Sequence, residues 1–138
     1  MNLQMDWKGG FKFSGITHYG HEISTDASKK IGGNEDGYQP LELIMFSLMG
    51  CTGIDFIEIA KKMRLEVTDL KINVDATQHD NAPRYFTKAN VNYEVTGKNL
   101  DPKKIERVIK LSQEKYCSAA VTISGKTQLS YTFSIKEG

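Results

Sequence analysis

Apolar positions change period along the chain, and the changes mark its elements. Short strand-like stretches over residues 3–7, 11–16 and 21–25 are separated by turn material, Lys8-Gly9-Gly10 and Tyr19-Gly20, which predicts a hairpin or three-stranded meander. Asp26 to Gln39 is polar and glycine-rich and reads as a loop free to move near a site. From Pro40 to Met63 the period becomes helical. Proline suits the first turn of a helix and Glu42 its positive end. From Leu41 to Met49 only Glu42 and Ser47 are polar, so this half needs cover on most sides. Phe56, Ile59, Ala60 and Met63 then recur at i, i+3, i+4 and i+7, with Asp55, Glu58 and Lys62 opposite. Between the halves, Gly50-Cys51-Thr52-Gly53 places two glycines inside the helix at a cost of roughly 1 kcal/mol each. Such a cost has two readings: close packing of another helix, or room for a small molecule beside the Cys51 thiol.

Beyond the helix the period falls to two. Leu70, Ile72, Val74 and Ala76 alternate with polar residues, as do Ala89, Val91, Tyr93 and Val95, and His79 to Pro83 supplies a turn between them, so an antiparallel hairpin is predicted. Asp101-Pro102 marks a helix start, and Ile105, Val108, Ile109 and Ser112 carry its stripe towards Tyr116 and an end near Cys117. Ala120 to Ser124 and then Leu129, Tyr131, Phe133 and Ile135 are predicted as the last strands. The order of strands, long helix, hairpin, helix and strands predicts one α+β domain over residues 1–138, with helices on antiparallel sheet. The apolar first half of the long helix points to a homodimer that covers it.

Composition changes the picture mainly by exclusion. A net charge of +1 gives no field to favour nucleic acid or an anionic membrane, so neither is an expected partner. The first residues lack a basic region followed by an apolar run, and the longest apolar run looks too short to span a bilayer, so a cytoplasmic location is expected. In a reducing cytosol Cys51 and Cys117, the two cysteines, would pair only transiently.

Chemistry narrows to those thiols. There is no HExxH, CxxC, phosphate loop or serine elbow, and no two of Cys51, Cys117, His18, His21 and His79 have clustered ligand spacing, so no metal is expected. A thiol reacts as thiolate and needs a cation, a helix N-terminus or donors beside it, whereas a helix-centre cysteine in apolar surroundings is small core filler. Periodicity alone does not separate the two.

Pro40-Leu41-Glu42-Leu43, Gly50-Cys51-Thr52-Gly53, the hairpin with Pro83-Arg84-Tyr85-Phe86, and Lys115-Tyr116-Cys117-Ser118 follow one another as in the osmotically inducible protein C superfamily. The chain resembles that family over nearly its whole length, its OsmC-like branch more than the organic hydroperoxide resistance branch. The resemblance implies an α+β, OsmC-like fold with antiparallel sheets around a long central helix, and an intertwined homodimer with paired interface sites. It implies a thiol-dependent peroxidase in which Cys51 attacks a hydroperoxide, becomes a sulfenic acid and is resolved by Cys117 as a disulfide. A dithiol reductant then serves as co-substrate, with no bound cofactor.

In the hydroperoxide enzymes an N-terminal arginine and a glutamate directly after the helix-opening proline activate the thiolate. Here no arginine precedes Arg64, and Glu42, the matching carboxylate, is displaced by one residue. Glu42 and Cys51 stand nine residues apart, roughly 13–14 Å along one helix and on opposite faces, so any contact would come from a partner subunit. Arg84, Lys29, Lys30, His18 and His21 are candidates for the missing cation. Phe46, Met49 and Ile54 are expected to line an apolar substrate pocket with Ile44 and Leu48. Other readings are a non-enzymatic dimer binding a small apolar or acyl ligand at the same interface, and a redox sensor.

Overall fold

A computed structural model describes residues Met1–Gly138, which fall into two compact units, Met1–Phe46 and Ser47–Gly138. The first begins with strands β1 (Met5–Trp7), β2 (Phe13–Ile16) and β3 (Glu22–Thr25), paired antiparallel in the order β1-β2-β3. The predicted meander is present, with strands that start one or two residues late. The following loop is tied down rather than loose. Asp26 is buried, and its carboxylate accepts the backbone N–H groups of Ala27 at 2.7 Å, Asn34 at 3.1 Å and Asp36 at 3.0 Å. These bonds hold its carboxyl below the ordinary range. Lys12 adds an ion pair to Asp36 at 2.7 Å.

Helix α1 (Pro40–Lys62) starts in the first unit and continues into the second. Met45, Leu48, Thr52, Phe56 and Ile59 recur every three or four residues and form its buried face. Glu42 lies at the start, where its carboxylate accepts the Gln39 N–H at 3.4 Å. At 23 residues α1 is long and apolar enough to cross a membrane by length and composition, contrary to the expectation that its apolar run is too short. The two polar residues between Leu41 and Met49 interrupt the run without lowering its mean hydropathy enough.

In the second unit, β4 (Glu66–Gln78), β5 (Phe86–Lys98) and β6 (Gln128–Glu137) form a sheet in that order. β4 and β5 are the predicted hairpin, antiparallel with Ile72 opposite Tyr93 and Val74 opposite Val91. β5 is the core strand, and Ala89, Val91, Tyr93 and Val95 are all buried. The sheet is mixed rather than wholly antiparallel, since β6 runs parallel to β5. A parallel neighbour requires a crossover, and residues 99–127 supply one built of helices. Its first helix, α2 (Pro102–Leu111), is capped as the sequence predicts, with the Asp101 side chain accepting the Lys103 N–H at 2.9 Å. It opens into a π turn over Ser112–Tyr116. The segment read as a strand from Ala120 to Ser124 is instead helix α3 (Ser118–Ile123). Cys117 is extended there (φ −71°, ψ 101°) and its sulfur caps α3, so a local cap and two alanines outweigh the β-branched run.

Candidate functional site

The site assembles within the second unit, where α1 meets β5 and the end of α2. Gly53 has a packing reason: a Cβ there would lie 3.0 Å from Ile72 Cδ1 of β4. Gly50 has none within the chain, because a Cβ there would meet nothing within 4 Å. Of the two readings of the glycine pair, close packing therefore holds for Gly53, against a strand rather than a helix, and Gly50 leaves open space next to Cys51.

Cys51, half-buried on α1, Asp55 one turn later, and the fully buried Cys117 present two sulfurs and a carboxylate oxygen that all lie within 4.8 Å of one another. Both thiols are unbridged. The π turn brings Cys117 here. Its N–H donates five residues back to the Ser112 carbonyl at 2.7 Å, and its sulfur accepts the Ala120 N–H at 3.4 Å. Burial pushes the Cys117 thiol up from 9.0 to about 11; the Ala120 N–H opposes this, while Cys51 and Asp55 add to it.

Asp55 is held by a hydroxyl chain that the sequence did not reveal. Thr52 Oγ1 lies 2.5 Å from Tyr93 Oη and 2.8 Å from Ser112 Oγ, and Ser112 donates to Asp55 Oδ2 at 3.3 Å. Gln113 Nε2 donates to Thr52 Oγ1 at 2.8 Å and to Tyr93 Oη at 2.7 Å. Each hydroxyl has one proton, so if Ser112 donates to Asp55, Thr52 donates to Ser112 and Tyr93 to Thr52. Every proton points towards Asp55. Phe56 stacks on the Tyr93 ring at 5.7 Å between centroids, and burial raises the Tyr93 phenol above its ordinary range. Ser112 was visible only as part of a helix stripe; Asp55 carried the single signal of standing four residues after Cys51.

Other expected residues are placed less tightly. On one helix Glu42, Met49 and Phe46 are turned about 180°, 160° and 140° away from Cys51, and Ile54 about 60°. Phe46 and Ile54 are exposed and Met49 is half-buried. Arg84 Nε donates to the His79 carbonyl at 3.4 Å in the β4–β5 turn, and His79 stacks on Tyr85 at 5.1 Å. The sequence showed no clustered spacing among these groups, yet the fold gathers Cys51, Asp55 and Cys117 in one place.

The sequence profile described as OsmC-like protein matches residues 32–132. The chain is 29% identical to Protein YhfA of Escherichia coli K12 over 135 residues, 98% of each chain. A hypothetical protein from Aquifex aeolicus VF5 superposes with a TM-score of 0.86 at 28% identity, covering 99% of this chain and 96% of that one. The organic hydroperoxide resistance protein OhrB of Bacillus subtilis superposes at 0.65 with 17% identity, covering 97% and 98%, a likeness of fold.

Proposed function

The chain belongs to the OsmC-like protein family, and from that premise we propose that it is a thiol-dependent peroxidase that reduces organic hydroperoxides, or hydrogen peroxide, through Cys51 and Cys117. The observation that carries this reading is the approach of the two sulfurs within 4.8 Å, one half-exposed and the other fully buried. Cys51 Sγ attacks the peroxide, the O–O bond breaks, and an alcohol leaves as Cys51 becomes a sulfenic acid. The Cys117 sulfur then displaces hydroxide from the Cys51 sulfur, giving a disulfide and water. A dithiol reductant in the cytoplasm restores both thiols. Sulfenic acids survive only until a thiol or more peroxide reaches them, and a buried resolving thiol this close favours the first outcome. In this reading Phe46, Met49 and Ile54 contribute apolar surface for an alkyl group, and Glu42 acts on the site of a partner subunit.

One equivalent of cumene hydroperoxide, followed by intact mass on reduced protein, tests the cycle. Wild type is expected to lose two hydrogens, and Cys117→Ser to gain one oxygen at Cys51 without forming a bridge within the chain. Unchanged masses over minutes in both proteins overturn the peroxidase reading and favour the non-enzymatic ligand-binding dimer.

A further inference from the structure

The two-cysteine cycle leaves a proton unaccounted for. Cys117 attacks as a thiolate, yet burial holds it as a thiol, at about 11, and the negative charges near it hold it there more firmly. The residue placed to take the proton is one that no motif singles out. We infer that Asp55 is the general base of disulfide closure: it accepts the Cys117 proton as the sulfur attacks Cys51 and returns it to the departing hydroxide. The inference rests on the peroxidase reading.

Three features support it. The Asp55 carboxylate lies within 4.8 Å of both sulfurs, a separation closed by a small side-chain turn or spanned by one water. Its Oδ2 accepts from Ser112, the last hydroxyl of the chain Tyr93, Thr52, Ser112, which pins the group and leaves Oδ1 as a second acceptor. The carboxylate also lies in a groove lined by Glu58, Ile59, Lys62, Met63, Leu111 and Tyr116, a route for exchanging protons with solvent. The titratable groups facing it are therefore Cys51 on α1, Cys117 and Tyr116 beyond α2, Tyr93 on β5, and Glu58 with Lys62, which are paired to each other at 2.8 Å.

The step balances. The Cys117 S–H bond breaks and its proton passes to Asp55, while the sulfur's electron pair forms the S–S bond and the Cys51 S–O bond breaks. Hydroxide leaves with that pair and takes the proton from Asp55 as water. Cys51 sulfur is reduced and Cys117 sulfur oxidised, so no external reductant is needed. A carboxylate suits this transient role better than that of stabilising a standing thiolate, which its charge opposes.

Asp55→Asn keeps the shape and an oxygen for Ser112 but has no basicity. With a chelator present to keep the site free of metal, reduced protein is mixed with one equivalent of cumene hydroperoxide. Cys51 sulfenic acid is followed by dimedone trapping, and disulfide by intact mass after rapid quenching. The expected result is Cys51 oxidation within about threefold of wild type and closure slowed roughly 10²-fold or more, with trapped sulfenic acid accumulating. In Asp55→Asn, closure should quicken about tenfold per pH unit from 7 to 9 as hydroxide deprotonates Cys117, whereas wild type stays nearly flat. Closure at the wild-type rate in the variant, or equal slowing of both steps, overturns the role of Asp55. So does a wild-type closure rate that itself climbs tenfold per pH unit, a readout that does not depend on the variant folding. If wild type forms neither sulfenic acid nor disulfide, the peroxidase reading fails first, and the role of Asp55 with it.

Discussion

Cys117 is a fully buried thiol, and this makes its ionisation a stability effect. In the unfolded chain its thiol has the ordinary value of 9.0; in the fold it is held to about 11. Between those values the unfolded state has lost a proton that the folded state keeps, so stability is intact below about pH 9 and falls as pH rises towards 11. A shift of that size corresponds to roughly 2–3 kcal/mol. Urea titrations of reduced protein at pH 8 and pH 11 should show this loss in wild type and a smaller one in Cys117→Ala, in which lysines and tyrosines still titrate. An equal loss in both proteins would show that Cys117 ionises freely in the fold. The cysteines could be picked out of the sequence because thiols are rare here and each stands in a recognisable motif. Thr52, Ser112, Gln113 and Tyr93 could not, because their bonds join positions 20 to 61 residues apart.

At the scale of elements, what was legible had a local cause. Asp101-Pro102 predicts the start of α2 because cap and proline act within one turn, and β4 and β5 announce themselves by alternation. The parallel setting of β6 and the helical state of Ala120 to Ile123 were not legible, since the first depends on a crossover and the second on the turn at Cys117. The two glycines of α1 show the same division. Gly53→Ala adds a methyl 3.0 Å from the mobile tip of Ile72, a strain that the better helix propensity of alanine, roughly 1 kcal/mol, should nearly offset. Gly53→Val brings two further methyl groups against β4 and should cost about 1–3 kcal/mol. Gly50→Ala meets nothing in its own chain and should not destabilise that chain's fold. Denaturation of the three variants at equal concentration checks the ranking, and a Gly53→Val protein as stable as Gly53→Ala would refute the packing assigned to Ile72.

Across the whole molecule, each unit leaves apolar side chains uncovered. In the first, Met5, Trp7, Phe13 and Ile16 of the short meander are exposed while the buried strand residue is Ser14, and strands of three or four residues do not stand without an apolar face to bury. On α1, Phe46, Gly50 and Ile54 are spaced by four and lie opposite the buried face of Leu48, Thr52 and Ile59. A stripe with a glycine at its centre and large apolar residues on each side suits the close crossing of a second helix. A membrane span would expose apolar residues too, but α1 bonds its Thr52 into a hydroxyl network of its own sheet and α2, as a core helix does. We propose that a second copy of the chain covers each of these surfaces. Sedimentation should therefore give the mass of two chains. Ile54, 71% exposed in a single chain, would lie near the crossing, so Ile54→Glu should weaken association by about 2 kcal/mol or more, roughly thirtyfold in dissociation constant. Because the introduced carboxylate would remain solvated in a lone chain, a variant that stays dimeric at wild-type affinity would place the interface elsewhere. A wild type that sediments as one chain would remove the interface altogether, and with it the route by which Glu42 could reach a Cys51 thiol.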